Sequence, residues 1–135
     1  MPALSLRPDL PFNLDATLSC GQVFRWDRSA DGWWYGIVGS RVLKIRQDGD
    51  ILTFAGVPGP IIRNYFSLDT DIGTILASID TDPFIHACIR ENQGLRLVRQ
   101  PPWECTVSYI CSTNSNIPTI RRRIASIAER CGSAV

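Results

Sequence analysis

Two patterns divide the chain. Short runs of Val, Ile, Trp, Tyr and Phe, broken by turn residues, fill the first part. Apolar residues at three- and four-residue steps fill the second. Residues 1–18, punctuated by Pro2, Pro8 and Pro11, read as extended. Residues 22–26, 33–38, 42–46 and 51–54 read as strands. Between them stand Asp31-Gly32, Gly39-Ser40 and Asp48-Gly49-Asp50, which favour tight reversals. The spacing predicts an antiparallel meander. Arg41, Lys44 and Arg46 alternate with Val42, Leu43 and Ile45, so one sheet face is expected to meet water.

After Gly59-Pro60 the spacing becomes helical. A short helix is predicted over 61–66, and a second over 72–79 with Thr70 or Asp71 as its cap. Thr81-Asp82-Pro83 starts a third that runs to Asn92 and stops near Gly94. Pro101-Pro102 opens a fourth through Cys111. The last begins after Asn116 and continues to Arg130, with Gly132 beyond. On it Ile117, Ile120, Ile124, Ile127 and Cys131 share one face. Strands followed by helices define an α+β fold. The apolar stripe of the last helix needs a surface to pack on. The chain is therefore expected to be the front part of a longer protein, ending just inside a second, helical domain.

Composition changes this picture little. Of 135 residues, 44% are apolar and 20% charged, which is globular composition and not that of a disordered tail. No run approaches the roughly 20 apolar residues of a membrane helix, and no charged-then-apolar leader opens the chain. The expectation is an intracellular protein, in the cytoplasm or nucleoid of a prokaryote or in a nucleus, with no membrane partner.

Charge adds more through its distribution than through its total. The net charge is +1, yet residues 1–82 balance at −3 and residues 83–135 at +4. Arg supplies all the basic residues except Lys44, and its fork suits phosphate as well as any solvated surface. Arg121, Arg122 and Arg123 form the one basic run. They are either a solvated helix face or a phosphate contact. Five cysteines without C-x-x-C spacing and a single His86 give no zinc-ligand pattern. Buried, reduced thiols are the simpler reading.

Four segments carry a specific resemblance. They are Ser19-Cys20-Gly21-Gln22-Val23-Phe24-Arg25-Trp26 and Tyr65-Phe66-Ser67-Leu68-Asp69, then Gly94-Leu95-Arg96-Leu97-Val98-Arg99-Gln100-Pro101-Pro102-Trp103-Glu104 and Ile110-Cys111-Ser112-Thr113-Asn114-Ser115-Asn116-Ile117. In this order, from about residue 10 to the end, they resemble the N-terminal part of 8-oxoguanine DNA glycosylases. The resemblance implies a twisted antiparallel sheet, TATA-binding-protein-like, over 1–101. It also implies that residues 102–135 are the first helices of a truncated helical glycosylase domain.

By that resemblance Gly21 offers its backbone carbonyl to the flipped damaged base. 8-Oxoguanine carries a hydrogen on N7 where guanine presents an acceptor. An acceptor carbonyl thus gains a bond with the lesion and faces repulsion with guanine, a difference of roughly 1–3 kcal/mol for the unsatisfied group. The plainer reading is that Gly21 starts a strand. Asn114 matches the asparagine that probes the hole left by the base and contacts the opposite cytosine. Asn116 is either a second contact or an N-cap. Thr119 stands where animal members have a cytosine-reading arginine, so relaxed opposite-base selectivity is implied. Tyr109 and Ser112 either line the approach to the pocket or pack in the core, and Arg121 is a candidate phosphate contact.

The implied function is the lesion-recognition part of an 8-oxoguanine DNA glycosylase/AP lyase, acting on damaged double-stranded DNA without metal or organic cofactor. The lysine nucleophile and aspartate of that family belong to a helix-hairpin-helix region downstream, absent from these residues. Lys44 matches no catalytic motif, and Gly56-Val57-Pro58-Gly59-Pro60 lacks the glycine spacing of the hairpin. The chain alone is therefore predicted to be inactive, its partner being the missing C-terminal helix-hairpin-helix domain of the same protein. Two alternatives stand beside this: the N-terminal domain of an alkyl-base DNA glycosylase, and a non-catalytic DNA-binding module.

Overall fold

The computed structural model describes residues 1–135. Five strands, β1 (Ala3–Ser5), β2 (Trp26–Arg28), β3 (Trp34–Val38), β4 (Arg41–Asp48) and β5 (Ile51–Ala55), pair antiparallel in the order β1-β5-β4-β3-β2. Register follows from the alternation along each strand. Trp34 faces Ile45 and Ile45 faces Phe54, an apolar row on one side. Tyr35, Lys44 and Ala55 form the neighbouring row on the other. The inner row is buried and the outer one is half-exposed or exposed, so the sheet is solvated on one face as expected.

Two expectations need correction. Residues 1–18 are not extended throughout, because β1 is followed by α1 (Leu14–Ser19). Pro8 and Pro11 lie ahead of the helix start, where they break nothing, and Asn13 caps Ala16 N at 2.9 Å. Leu14 and Leu18 then enter the core beneath the sheet. Residues 22–26 are not a strand either. Only Trp26 joins the sheet, in β2, and residues 21–25 run irregularly because their side chains serve two different cores.

Helix α2 (Gly59–Tyr65) closes the inner face of the sheet with Ile62 and Tyr65, and Phe66 and Leu68 follow. Trp26, only 1% exposed, packs against Tyr65 and Phe66 with ring centroids 5.9 and 6.0 Å away. Its indole N–H donates to the Tyr65 hydroxyl at 3.0 Å. The same burial pushes the Tyr65 phenol up to about 12. Gly36 faces this indole so closely that a Cβ there would stand 2.3 Å from it.

Helices α3 (Ile72–Ile79) and α4 (Pro83–Glu91) are capped by Asp71 and Asp82, yet neither buries a single residue. Helices α5 (Pro102–Ser112) and α6 (Ile117–Cys131) cross over a small cluster of Cys111, Ile120 and Ile124, joined by Val107 and Phe24. The stripe of α6 is thus half-used, since Ile117 and Ile127 remain 49% and 43% exposed. The cysteine expectation also changes. All five are free, but only Cys111 is buried, because the helices carrying Cys88, Cys105 and Cys131 leave those faces open.

Candidate nucleic-acid interface

The segment between α1 and β2 sorts its side chains one by one. Val23 and Trp26 enter the core under the sheet, and Phe24 enters the cluster of α5 and α6. Arg25 reaches Glu104 of α5 at 3.5 Å. Glu104 is held above the usual carboxylate range by burial, which the Arg25 charge only partly offsets. Residues 21–26 are therefore the seam between sheet and helices.

Gln22 fixes the start of this seam. Its side-chain amide donates to the carbonyls of Arg96 at 2.7 Å and Thr17 at 3.0 Å, and accepts from Val98 N at 3.0 Å. Its backbone carbonyl accepts from the Gln100 amide at 2.8 Å. Arg96 lies buried beside it, its guanidinium donating to the carbonyls of Pro11, Ser67 and Thr70 and facing no carboxylate. Desolvation accordingly lowers its pKa from the ordinary value.

Gly21 stands just ahead, outside every strand and with φ +87°, a backbone region glycine enters without strain. No donor in the chain bonds its carbonyl. A Cβ at Gly21 would lie 3.3 Å from Ile117 Cδ1, so the residue abuts the first turn of α6. Ile117 directly follows the turn Asn114-Ser115-Asn116. The structure thus brings Gly21 and the asparagine turn to one corner.

Within that turn the residues differ. Asn114 is exposed at φ +47°, a left-handed conformation that asparagine tolerates better than most residues. Asn116 is the N-cap of α6, its side chain accepting from Thr119 N at 3.0 Å. Ser115 Oγ and Gln100 Oε1 are buried without a partner in the chain. Tyr109 is 77% exposed, which excludes core packing, and the Ser112 hydroxyl donates back to the Tyr109 carbonyl at 2.6 Å.

Arg121 corrects the picture of a free phosphate contact. Its guanidinium donates to Trp26 O at 2.9 Å and pairs with Asp27, tying α6 to β2. Arg123 donates to one carbonyl of the last turn of α5, Cys111 O, at 2.8 Å. Arg122 is exposed and bonded only to the Thr119 hydroxyl within its own helix. Sequence reasoning missed Gln22, Arg96 and Gln100. All three were inside quoted motifs, but nothing local shows that a glutamine side chain pairs with a segment more than seventy residues away.

A cavity of about 600 Å³ opens elsewhere, between α5, α6 and the β3–β4 turn, lined by Arg25, Glu104, Trp103, Ile124 and Cys131 among others. Neither Gly21 nor Asn114 borders it. The corner, not the cavity, carries the candidate groups. Lys44 lies on the sheet with its ammonium 4.8 Å over the Trp33 ring and has no place at that corner. No three His, Cys, Asp or Glu side chains converge as metal ligands.

An antiparallel sheet is thus joined to a helical pair, and at their junction Gly21, its carbonyl unpaired, abuts the helix that follows an asparagine turn. Residues 6–106 match the family described as the 8-oxoguanine DNA glycosylase, N-terminal domain, and the chain belongs to it. An N-glycosylase/DNA lyase OGG1 of Arabidopsis thaliana is 25% identical over 121 residues, covering 82% of this chain and 33% of its own length. An N-glycosylase/DNA lyase of Saccharomyces cerevisiae is 28% identical, covering 87% of this chain and 36% of its own length. Among solved structures, MBOgg1 in complex with a low-affinity DNA ligand superposes with TM-score 0.88 at 34% identity, over 98% of this chain and 47% of that one. The Clostridium acetobutylicum 8-oxoguanine glycosylase/lyase, bound to double-stranded DNA with cytosine opposite 8-oxoG, gives TM-score 0.85 at 30% identity, over 92% and 44%. The chain spans about a third of the curated relatives and under half of the solved ones.

Proposed function

We propose that this chain is the lesion-recognition part of an 8-oxoguanine DNA glycosylase/AP lyase of an intracellular DNA-repair system. Residues 1–101 form its sheet domain and residues 102–135 open its helical domain. The observation that carries this is the Gly21 carbonyl, unpaired and held beside the asparagine turn. In that place it accepts the N7 hydrogen of the oxidised base and repels the N7 lone pair of guanine. Asn114, whose amide is both donor and acceptor, meets the opposite base and replaces bonds lost on flipping. Asn116 holds the helix start from which Asn114 projects. Tyr109 and Ser112 flank the approach, and Arg122 is better placed than Arg121 for the DNA backbone. Excision itself needs an amine nucleophile that these residues do not place at the corner.

The test is an equilibrium titration of this chain with matched duplexes carrying 8-oxoguanine or guanine opposite cytosine. The damaged duplex should bind more tightly, in the micromolar range or weaker, with affinity falling as salt rises. Equal affinities would sink the reading. Borohydride reduction on abasic-site DNA should give no covalent adduct, and robust trapping would refute the inactivity of the chain alone.

A further inference from the structure

We infer that Gln22 is a positioning residue: its side chain stands in for a missing strand and so keeps the Gly21 carbonyl free of ladder pairing, at the corner where Gly21 abuts α6. This rests on the reading of Gly21 as the base sensor. Residues 96–98 lie beside the seam, and the Arg96 carbonyl and the Val98 N–H both face the Gln22 side chain. The Gln22 amide donates to Arg96 O at 2.7 Å and accepts from Val98 N at 3.0 Å. Those are the two bonds that one residue of a neighbouring parallel strand makes across a ladder. Had Gly21 and Gln22 paired with residues 96–98 through their own backbone, their carbonyls would be committed to that ladder. One side chain does the pairing instead. Gln22 is thus held by five bonds, to Arg96, Val98, Thr17, Cys20 and Gln100, and the chain bends away ahead of it at Gly21 through φ +87°.

The chemistry selects glutamine. Asparagine is one methylene too short to span the same partners. A glutamate carboxylate has no hydrogen to give, and it would face the carbonyls of Arg96 and Thr17. A protonated glutamic acid restores one donor and one acceptor. Leucine keeps the volume and removes every side-chain bond, leaving only the backbone carbonyl's bond from Gln100.

The experiment compares wild type, Gln22→Leu, Gln22→Glu and Gln100→Leu in the paired titration above, with folding checked by circular dichroism. The readout is the affinity ratio between damaged and undamaged duplex, because general destabilisation moves both affinities together. Gln22→Leu should reduce the ratio about tenfold, the size of one charge-free buried bond network lost. Gln100→Leu, which removes only the hold on the Gln22 carbonyl, should reduce it less. Gln22→Glu should discriminate poorly at pH 8 and recover as pH falls toward the carboxyl pKa. If wild type shows no preference, the sensor reading itself fails. If wild type discriminates and the folded Gln22→Glu and Gln100→Leu proteins do so equally at all pH, the inference is overturned while the sensor reading stands. Should Gln22→Leu not fold, those two variants still decide.

Discussion

The sheet half closes on itself, and the helical half does not. Sixteen buried residues from α1, α2, the strands and the segments that join them form one continuous core, whereas α5 and α6 share only Cys111, Ile120 and Ile124 as an apolar buried centre. Helices α3 and α4 bury nothing, and Phe84 stands 85% exposed. Both halves have the same apolar alphabet. The difference lies in partners: strands find theirs in adjacent strands and in α1 and α2, while the helices of the second half present faces that one neighbour cannot cover. The corner of Gly21 and the asparagine turn sits where the two meet, with Val23 and Trp26 in one core and Phe24 in the other. Its geometry is borrowed from the closed half and completed by the open one.

The largest effect tests the closed half. Trp26→Ala should cost about 3–5 kcal/mol by removing a buried indole and orphaning the Tyr65 hydroxyl. Urea unfolding would measure it, and a loss under about 1 kcal/mol would show that the sheet core does not depend on this ring. Next, Ile124→Ala should cost about 2 kcal/mol, the low end for such truncations, since its cluster is small. It should loosen α5 and α6 while β4 and β5 keep their protection in hydrogen exchange. Simultaneous loss in both halves would erase the distinction. In the wild-type protein the amides of α3 and α4 should exchange well before those of β4 and β5, because no buried side chain holds them.

Smaller effects probe the seam. Arg121→Ala removes the tie from α6 to Trp26 O and Asp27. The pair is largely exposed, so about 0.2–1 kcal/mol is expected, together with faster exchange in the first turns of α6. Glu104→Gln works through pH. Glu104 has a folded-state pKa above its unfolded value, so its contribution is fully present below the unfolded pKa and is lost as pH rises through the folded one. The neutral amide escapes that loss. Glu104→Gln should match or exceed wild type in thermal midpoint at pH 7, and its advantage should shrink as pH falls toward the ordinary carboxylate range. A growing advantage at low pH would reverse the assigned cause.

By itself the sequence determined the element types after residue 26. Strands β3 to β5 follow two-residue alternation, and α3 to α6 follow Asp71, Asp82, the prolines and Asn116 as start signals, because caps and alternation act within a few residues. It also supplied the motifs that place the chain in its family and named Gly21 and Asn114. Only the tertiary structure decided that residues 22–25 leave the sheet, that Arg121 is tied to β2, and that Gln22 pairs with residues 96 and 98. Those outcomes depend on contacts across seventy to ninety-five residues. A local pattern has no access to such distances, since what a side chain meets there is settled when the two cores pack against the segment between them.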